Sequence, residues 1–211
     1  MKTKWFLFYL CMVACCQTFA QQPDRICDVS LLKDGDLLFE VSPSDNAITD
    51  VTQGFDGMKI DHVAIYWDKH VIEATRVKGV AISSLEQFIK RNTQDSGEVR
   101  VLVGRITSDY HLRKTIKRAK RFLGLPYDSL FLPDNNAIYC SELVQKSYVD
   151  KKNRLIFSPI PMSFHDASGN VTEYWKTFYR RFNMDVPEGA PGTNPGELSR
   201  RENVKIVYRF F

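Results

Sequence analysis

Ile60-Asp61-His62-Val63-Ala64-Ile65-Tyr66-Trp67 is the most strand-prone stretch of the chain. Branched and aromatic side chains fill it, and these fit a pleated, half-buried surface. Asp68-Lys69 breaks the run as a turn, and His70 to Thr75 returns as the second arm of a hairpin. An imidazole inside a core strand needs a partner or a task, because burying it alone is costly. If the hairpin turns at Asp68-Lys69, Trp67 faces His70, Ala64 faces Glu73, and His62 faces Thr75. Alternation then puts His62, Ala64 and Tyr66 on one face with Val71, Glu73 and Thr75. His62 and Glu73 become diagonal cross-strand neighbours. A carboxylate there can accept the far imidazole N–H, fix the tautomer and stabilise the imidazolium. A loop of odd length would flip one arm and break this arrangement.

Outward from the hairpin, the pattern is that of a mixed α+β domain. Asp36 to Val41 reads as a strand. Residues 42 to 59 are polar and turn-rich, with a helical turn around Ala47 to Val51. Ser84 to Arg91 reads as a short helix with Ser84 and Gln87 as a capping box, and Val99 to Ile106 as another strand. Ser108 is placed as the cap of a helix that runs to Leu123 and stops at Gly124. Leu112, Ile116, Ala119 and Leu123 keep its apolar spacing. Tyr139 to Val149 and Thr172 to Phe182 are further expected helices. A Pro/Gly-rich loop, 187 to 196, precedes a final strand, Val204 to Phe210. No linker interrupts this run, so residues 21 to 211 are expected to form a single domain.

The bulk composition agrees with one core. The chain has 211 residues, 44% of them hydrophobic and 26% charged, which excludes disorder, collagen and repeat arrays. Lys+Arg number 29 against Asp+Glu 25. Lys2 and Lys4 lie in a leading segment expected to be removed, which leaves 27 against 25, a balance of +2. Such a balance does not call for nucleic acid as a partner.

The leading segment has the layout of a secretory signal peptide. Lys2 and Lys4 precede an uncharged apolar run, Trp5 to Cys16, and Thr18-Phe19-Ala20 supplies small residues for cleavage after Ala20. Twelve apolar residues are short for a permanent membrane span. Met12-Val13-Ala14-Cys15 loosely resembles a lipobox, so lipid attachment at Cys15 or Cys16 is the lesser alternative. The mature protein is expected in the periplasm or outside the cell. Of five cysteines, Cys11, Cys15 and Cys16 fall in this segment, leaving Cys27 and Cys140. The two could form one bridge in an oxidising compartment.

Cys140 begins the expected helix Cys140-Ser141-Glu142-Leu143-Val144-Gln145-Lys146-Ser147-Tyr148. Free N–H groups and the positive end of the helix dipole favour a thiolate there, and the same N–H groups could hold an oxyanion. Cys140 also shares a helical face with Leu143, Val144, Ser147 and Tyr148, as a core cysteine would. From the helix alone, burial, a disulfide and catalysis fit equally. Among the histidines, His111 reads as solvated on a basic helix and His70 as flanking a turn. His165 lies in an unassigned loop, which leaves His62 as the candidate base.

Several short motifs now combine. Gly35-Asp36-Leu37-Leu38-Phe39, His62-Val63-Ala64-Ile65-Tyr66 and Val71-Ile72-Glu73-Ala74 resemble the strand pattern of NlpC-type papain-like cysteine amidases. In those proteins a Cys-Ser-x-Leu-Val helix comes first, whereas Cys140-Ser141-Glu142-Leu143-Val144 comes last here. That order resembles the permuted branch, the YiiX-like or YaeF-like permuted papain-like amidases. Gly124-Leu125-Pro126-Tyr127-Asp128 ahead of Tyr139-Cys140-Ser141-Glu142 also matches it. The resemblance covers residues 30 to 150.

The resemblance implies a papain-like, circularly permuted NlpC-type α+β core, a small antiparallel sheet packed against helices. It places the family's cysteine on Cys140, its histidine on His62 and its third polar residue on Glu73. Tyr139 and Ser141 would line the site, with Tyr66 as a further substrate contact on the His62 face. The implied reaction is cleavage of a peptide or peptidoglycan-type amide through a thioester. A lipid amide or ester hydrolase, or an acyltransferase, is the alternative within the family. Outside it stands a non-catalytic binding module with Cys140 bridged to Cys27. No cofactor and no metal are expected, since neither a regular His/Cys cluster nor a Gly-rich phosphate loop occurs. Expected partners are a small peptide, a cell-wall fragment or a lipid, with no nucleic acid and no stable membrane span. Tyr174, Trp175, Phe178 and Phe182 are read as packing rather than as a ligand platform.

Overall fold

The hairpin forms with the expected register. In the computed structural model, which describes residues 24–25, 28–133 and 135–211, Trp67 pairs with His70, Tyr66 with Val71 and Ile65 with Ile72. Asp68 and Lys69 have φ of 47° and 59°. A two-residue turn with both residues left-handed matches the twist of the flanking strands. The leading segment read as a signal peptide, with Cys11, Cys15, Cys16 and also Cys27, lies outside the described residues.

The main sheet contains β1 (Asp24–Arg25), β2 (Leu37–Val41), β3 (Ile60–Trp67), β4 (His70–Thr75), β5 (Gly79–Ser84), β6 (Val101–Ile106) and β9 (Val204–Arg209). Their order is β1-β9-β6-β2-β3-β4-β5. β1 runs parallel to β9, and the other pairings are antiparallel. A separate short ribbon pairs β7 (Ile160–Pro161) with β8 (Pro191–Gly192).

Alternation splits the sheet into two apolar faces. On one, Leu37, Phe39, Val63, Ile65 and Ile72 are sealed by α2 (Leu112–Arg121) and α3 (Cys140–Ser147) through Ile116, Ala119, Leu143 and Val144. On the other, Leu38, Ala64, Tyr66, Val71 and Val103 pack with Leu85 and Phe88 of α1 (Leu85–Arg91). α1 is capped as expected, with Ser84 Oγ accepting from the Gln87 N–H at 3.2 Å.

A third cluster joins the C-terminal third of the chain to the site. Trp175 and Tyr179 of α4 (Glu173–Arg180) pack with Phe131, Tyr139, Met162 and Phe164. Trp175 Nε1 donates to Ala47 O at 3.0 Å and Tyr179 Oη to Leu130 O at 2.8 Å. Trp175 is therefore a packing residue, as expected, whereas Tyr174 and Phe182 are exposed.

One strand lay outside the sequence reading and two expectations need correction. Residues 79 to 84 form strand β5, held by pairing with β4 along Thr75↔Gly79 to His70↔Ser84. α2 begins at Leu112, and its cap is His111, whose Nδ1 accepts from the Lys114 N–H at 3.4 Å. Ser108 plays no part in that cap, and His111 is not merely solvated. The loop 187 to 196 holds β8 and runs into α5 (Pro195–Leu198), capped by Asn194 Oδ1 accepting from the Glu197 N–H at 2.7 Å.

Gly104 of β6 shows how tightly the first face closes. A Cβ there would lie 2.6 Å from the Phe39 ring and 2.9 Å from Val204 Cγ1. Gly104→Ala is expected to cost about 1–2 kcal/mol through overpacking, read as a lower urea midpoint at unchanged m-value. An unchanged midpoint would show that β6 has slack against β2.

Candidate active site

The N-terminus of α3 is built by residues 139 to 142. Tyr139 is extended (φ −98°, ψ 167°) and precedes the first turn. Glu142 Oε2 accepts from the Tyr139 N–H at 3.4 Å, and Lys146 Nζ reaches Glu142 Oε1 at 2.7 Å. The first-turn N–H groups of any helix lack intrahelical acceptors, which leaves those of Cys140 and Ser141 available for another acceptor. Among the described residues, Cys140 carries a free thiol, and it is buried.

The segment after β8 clamps this turn. Ser141 Oγ donates to Thr193 O at 3.2 Å, and the Thr193 N–H donates to Tyr139 Oη at 3.2 Å. Tyr139 and Ser141 flank Cys140 in the chain. Both side chains are engaged in holding this loop.

His62 enters from β3. Its Nε2 lies 3.0 Å from Glu73 Oε2, the diagonal contact that the hairpin register anticipated. Glu73 is 1% exposed in its side chain and His62 is 14% exposed, so the carboxylate is sealed while the imidazole still meets the cleft. Behind Glu73 stands Arg91, at the end of α1. Its Nη1 donates to Glu73 Oε1 at 2.8 Å, and its Nη2 donates to Glu73 Oε2. The same guanidinium donates to Glu40 Oε1 of β2 at 2.8 Å, where Asn92 Nδ2 also donates at 2.9 Å.

These contacts set the charge states. Burial alone would lower the His62 pKa. The negative charge of Glu40, hydrogen bonds with Cys140 and Glu73, and the charge of Cys140 together hold it well above its usual range. Burial alone would raise the Glu73 pKa. Hydrogen bonds from His62 and Arg91 and their charges bring it down instead, to about 2. His62 is thereby held as an imidazolium against a fixed carboxylate. With Nε2 engaged by Glu73, Nδ1 is the ring nitrogen left for the thiol.

Two clefts of unlike character meet here. One, of about 530 Å³, is lined by Glu40, Asp61, His62, Arg76, Arg91 and Tyr174. The other, of about 40 Å³, is lined by Cys140 with Phe131, Met162, Phe164, Trp175 and Thr193. Ile48 and Tyr127 stand on the walls of both. Burial, then the charge of Cys140, pushes the Tyr127 phenol well up, so it stays neutral.

Glu40, His62 and Glu73 each offer one donor atom within 4.8 Å of the others. Sequence spacing did not suggest this trio, because it draws on three strands. As arranged, the cation between the two carboxylates is the Arg91 guanidinium, whose fork of donors matches them. A metal ion would have to displace Arg91, so the trio does not fit one.

Tyr66 is not brought to the site. It lies buried against the α1 face, where its Oη accepts from the Lys69 N–H at 3.3 Å, and it lines neither cleft. Alternation did place it on the His62 face. Four residues along a strand, however, are about 13 Å, enough to carry it beneath the helix. Arg91 and Glu40 were missed. Glu40 carried the same signal as His62, an ionisable group inside an apolar strand. Arg91, on an amphipathic helix, carried none.

Residues 31–208 match the family described as the permuted papain-like amidase enzyme, YaeF/YiiX, C92 family. Among solved structures, the chain is similar to the metalloprotein yiiX from Escherichia coli O157:H7. The TM-score is 0.64 at 23% identity, over 84% of this chain and 97% of that one. At that identity the likeness shows the fold. A comparison with curated proteins finds no match.

Proposed function

The chain belongs to the permuted papain-like amidase family, YaeF/YiiX, C92, and is a cysteine amidase-type hydrolase; from that premise we propose that Cys140, His62 and Glu73 are its catalytic triad. The observation that carries this reading is the 3.0 Å contact of His62 Nε2 with a sealed Glu73, beside a free thiol at a helix N-terminus.

In the proposed mechanism, the Cys140 proton already rests on His62 Nδ1, as a thiolate–imidazolium pair. The sulfur then attacks the carbonyl carbon, and the oxyanion rests near the free N–H groups of the α3 first turn. The C–N bond breaks as the imidazolium returns its proton to the departing amine. Water, losing a proton to His62, then cleaves the thioester and restores the thiolate–imidazolium pair. Glu73 keeps the imidazole oriented and stabilises its charged form.

The amide is read as peptide or peptidoglycan-type. Support comes from the N-terminal segment, whose Lys2 and Lys4, apolar run and Thr18-Phe19-Ala20 point to export. An exported amidase meets peptides and cell-wall fragments. Among the described residues, no helix is long and apolar enough to cross a membrane.

The test is alkylation by iodoacetamide at pH 5.5, read by mass spectrometry on Cys140. An imidazolium beside the sulfur favours a reactive ion pair at that pH. His62→Ala is expected to slow labelling on the order of tenfold to a hundredfold. Equal rates in the two proteins would separate His62 from the thiol and sink the triad.

A further inference from the structure

We infer that the pocket against Cys140 is an acyl-side subsite for a short apolar acyl group, with the Thr193 hydroxyl as its polar contact. This narrows the proposed amide to one whose acyl side ends within a few atoms of the carbonyl, and rests on the reading of Cys140 as nucleophile and His62 as proton donor.

Direction comes from the chemistry. His62 returns its proton to the leaving amine, so the amine lies on the His62 side, in the cleft of about 530 Å³. The acyl group is left for the other side of the sulfur. There the free volume is about 40 Å³. By that measure of free space a water molecule needs roughly 10–15 Å³, so the pocket suits about three small groups and no long chain.

The walls have little room to retreat. Trp175 is tied to Ala47 O at 3.0 Å, and the Phe164 N–H donates to Glu188 Oε2 at 2.8 Å. The Trp175 ring meets Phe131 and Phe164 edge-on, with centroids 5.7 and 5.2 Å apart. On the β8 side, a Cβ on Gly192 would collide with Met162 Sδ and lie 2.9 Å from Tyr139 Oη. A longer chain would have to break these contacts.

Thr193 adds a polar demand to an apolar pocket. It is 1% exposed. Its N–H and C=O are both used, on Tyr139 and Ser141. Its Oγ1 has no hydrogen-bond partner among the described residues. A buried hydroxyl without a partner is costly, and a substrate atom in the pocket it lines would satisfy it.

The experiment uses p-nitrophenyl acetate, butyrate and octanoate, which share one leaving group and differ only in the acyl chain. Nitrophenolate release and the mass of the Cys140 adduct are measured, with each rate divided by that of N-acetylcysteine. The corrected rates are expected to fall along the series, acetate exceeding octanoate by at least tenfold. Val51→Ala, which widens the same pocket, should recover octanoate several-fold relative to acetate. Thr193→Val, similar in volume, should slow acetate about tenfold at an unchanged melting temperature. Octanoate reacting as fast as acetate in the wild type overturns the short-chain subsite. An unchanged acetate rate in a folded Thr193→Val protein overturns the hydroxyl contact. Failure of the underlying reading looks different: no ester would then acylate Cys140, and Cys140→Ala would match the wild type throughout.

Discussion

Cys140→Ala is expected to abolish amide hydrolysis, by at least roughly three orders of magnitude, while the protein stays folded. Among the described residues, Cys140 is the only thiol that can form the thioester. Loss of a nucleophile also removes what its partners contribute, because triad members act as a unit. The structural cost should be small. Cys140 is 3% exposed and sits among Leu143, Val144 and Ile138, and losing one buried sulfur costs on the order of 1 kcal/mol. The measurement is a digest of peptidoglycan fragments and acyl-lipid mixtures, read by mass spectrometry for wild type and mutant. Products that persist with Cys140→Ala would assign the chemistry elsewhere. Products from the lipid mixture alone would keep the nucleophile and replace the proposed peptide-type amide.

Glu73→Ala should be the most damaging change outside the nucleophile, because it strikes activity and stability together. Without the carboxylate, His62 loses its orienting partner, an effect worth about 10²–10⁴ in rate in comparable triads. Arg91 keeps Glu40 but loses two hydrogen bonds. The pKa of Glu73 falls from an ordinary 4.5 to about 2, and at about 1.4 kcal/mol per unit this corresponds to about 3 kcal/mol of stability. Its pH window follows from the sign. A carboxylate with a depressed folded-state pKa stabilises fully above its unfolded value of 4.5, and the contribution drains away as pH falls toward about 2. His62 behaves oppositely. Its folded-state pKa is raised, so its contribution is complete below an ordinary 6.5 and is lost as pH rises through the folded value. Between about 4.5 and 6.5 both contributions are present. Thermal melts from pH 3 to 9 should therefore show a plateau there in the wild type. Glu73→Ala should lower that plateau and flatten both limbs. A mutant curve parallel to the wild type would mean that the pair does not carry the pH dependence.

The Arg91–Glu40–Asn92 group explains why Glu73 can be buried at all. A lone carboxylate in that position would protonate rather than orient His62. With the guanidinium hydrogen-bonded to both Glu73 oxygens, it stays ionised and points one oxygen at the imidazole. Glu40 balances the charge of Arg91 in turn, and Asn92 satisfies a remaining Glu40 acceptor site.

Local sequence chemistry was sufficient wherever the decisive interaction is short-range. Asp68-Lys69 sets a two-residue turn, the turn sets the strand register, and the register puts Glu73 diagonal to His62. Cys140 at the head of an apolar-faced helix was legible for the same reason, and the order of the motifs indicated the permuted family. Strand β5 and the His111 cap were not legible, because pairing with β4 and capping geometry override weak local propensity. Tyr66 was placed on the right face and yet away from the clefts, since periodicity assigns a face but not a distance along it. The tertiary structure alone decided three things: that Arg91 and Glu40 converge on Glu73, that Cys140 lies close enough to His62 to raise its pKa, and that the thiol faces a small apolar pocket while the imidazole faces a large polar cleft. The contacts involved link residues 18 to 128 positions apart. Long-range packing brings such residues together, and no pattern along the chain records it.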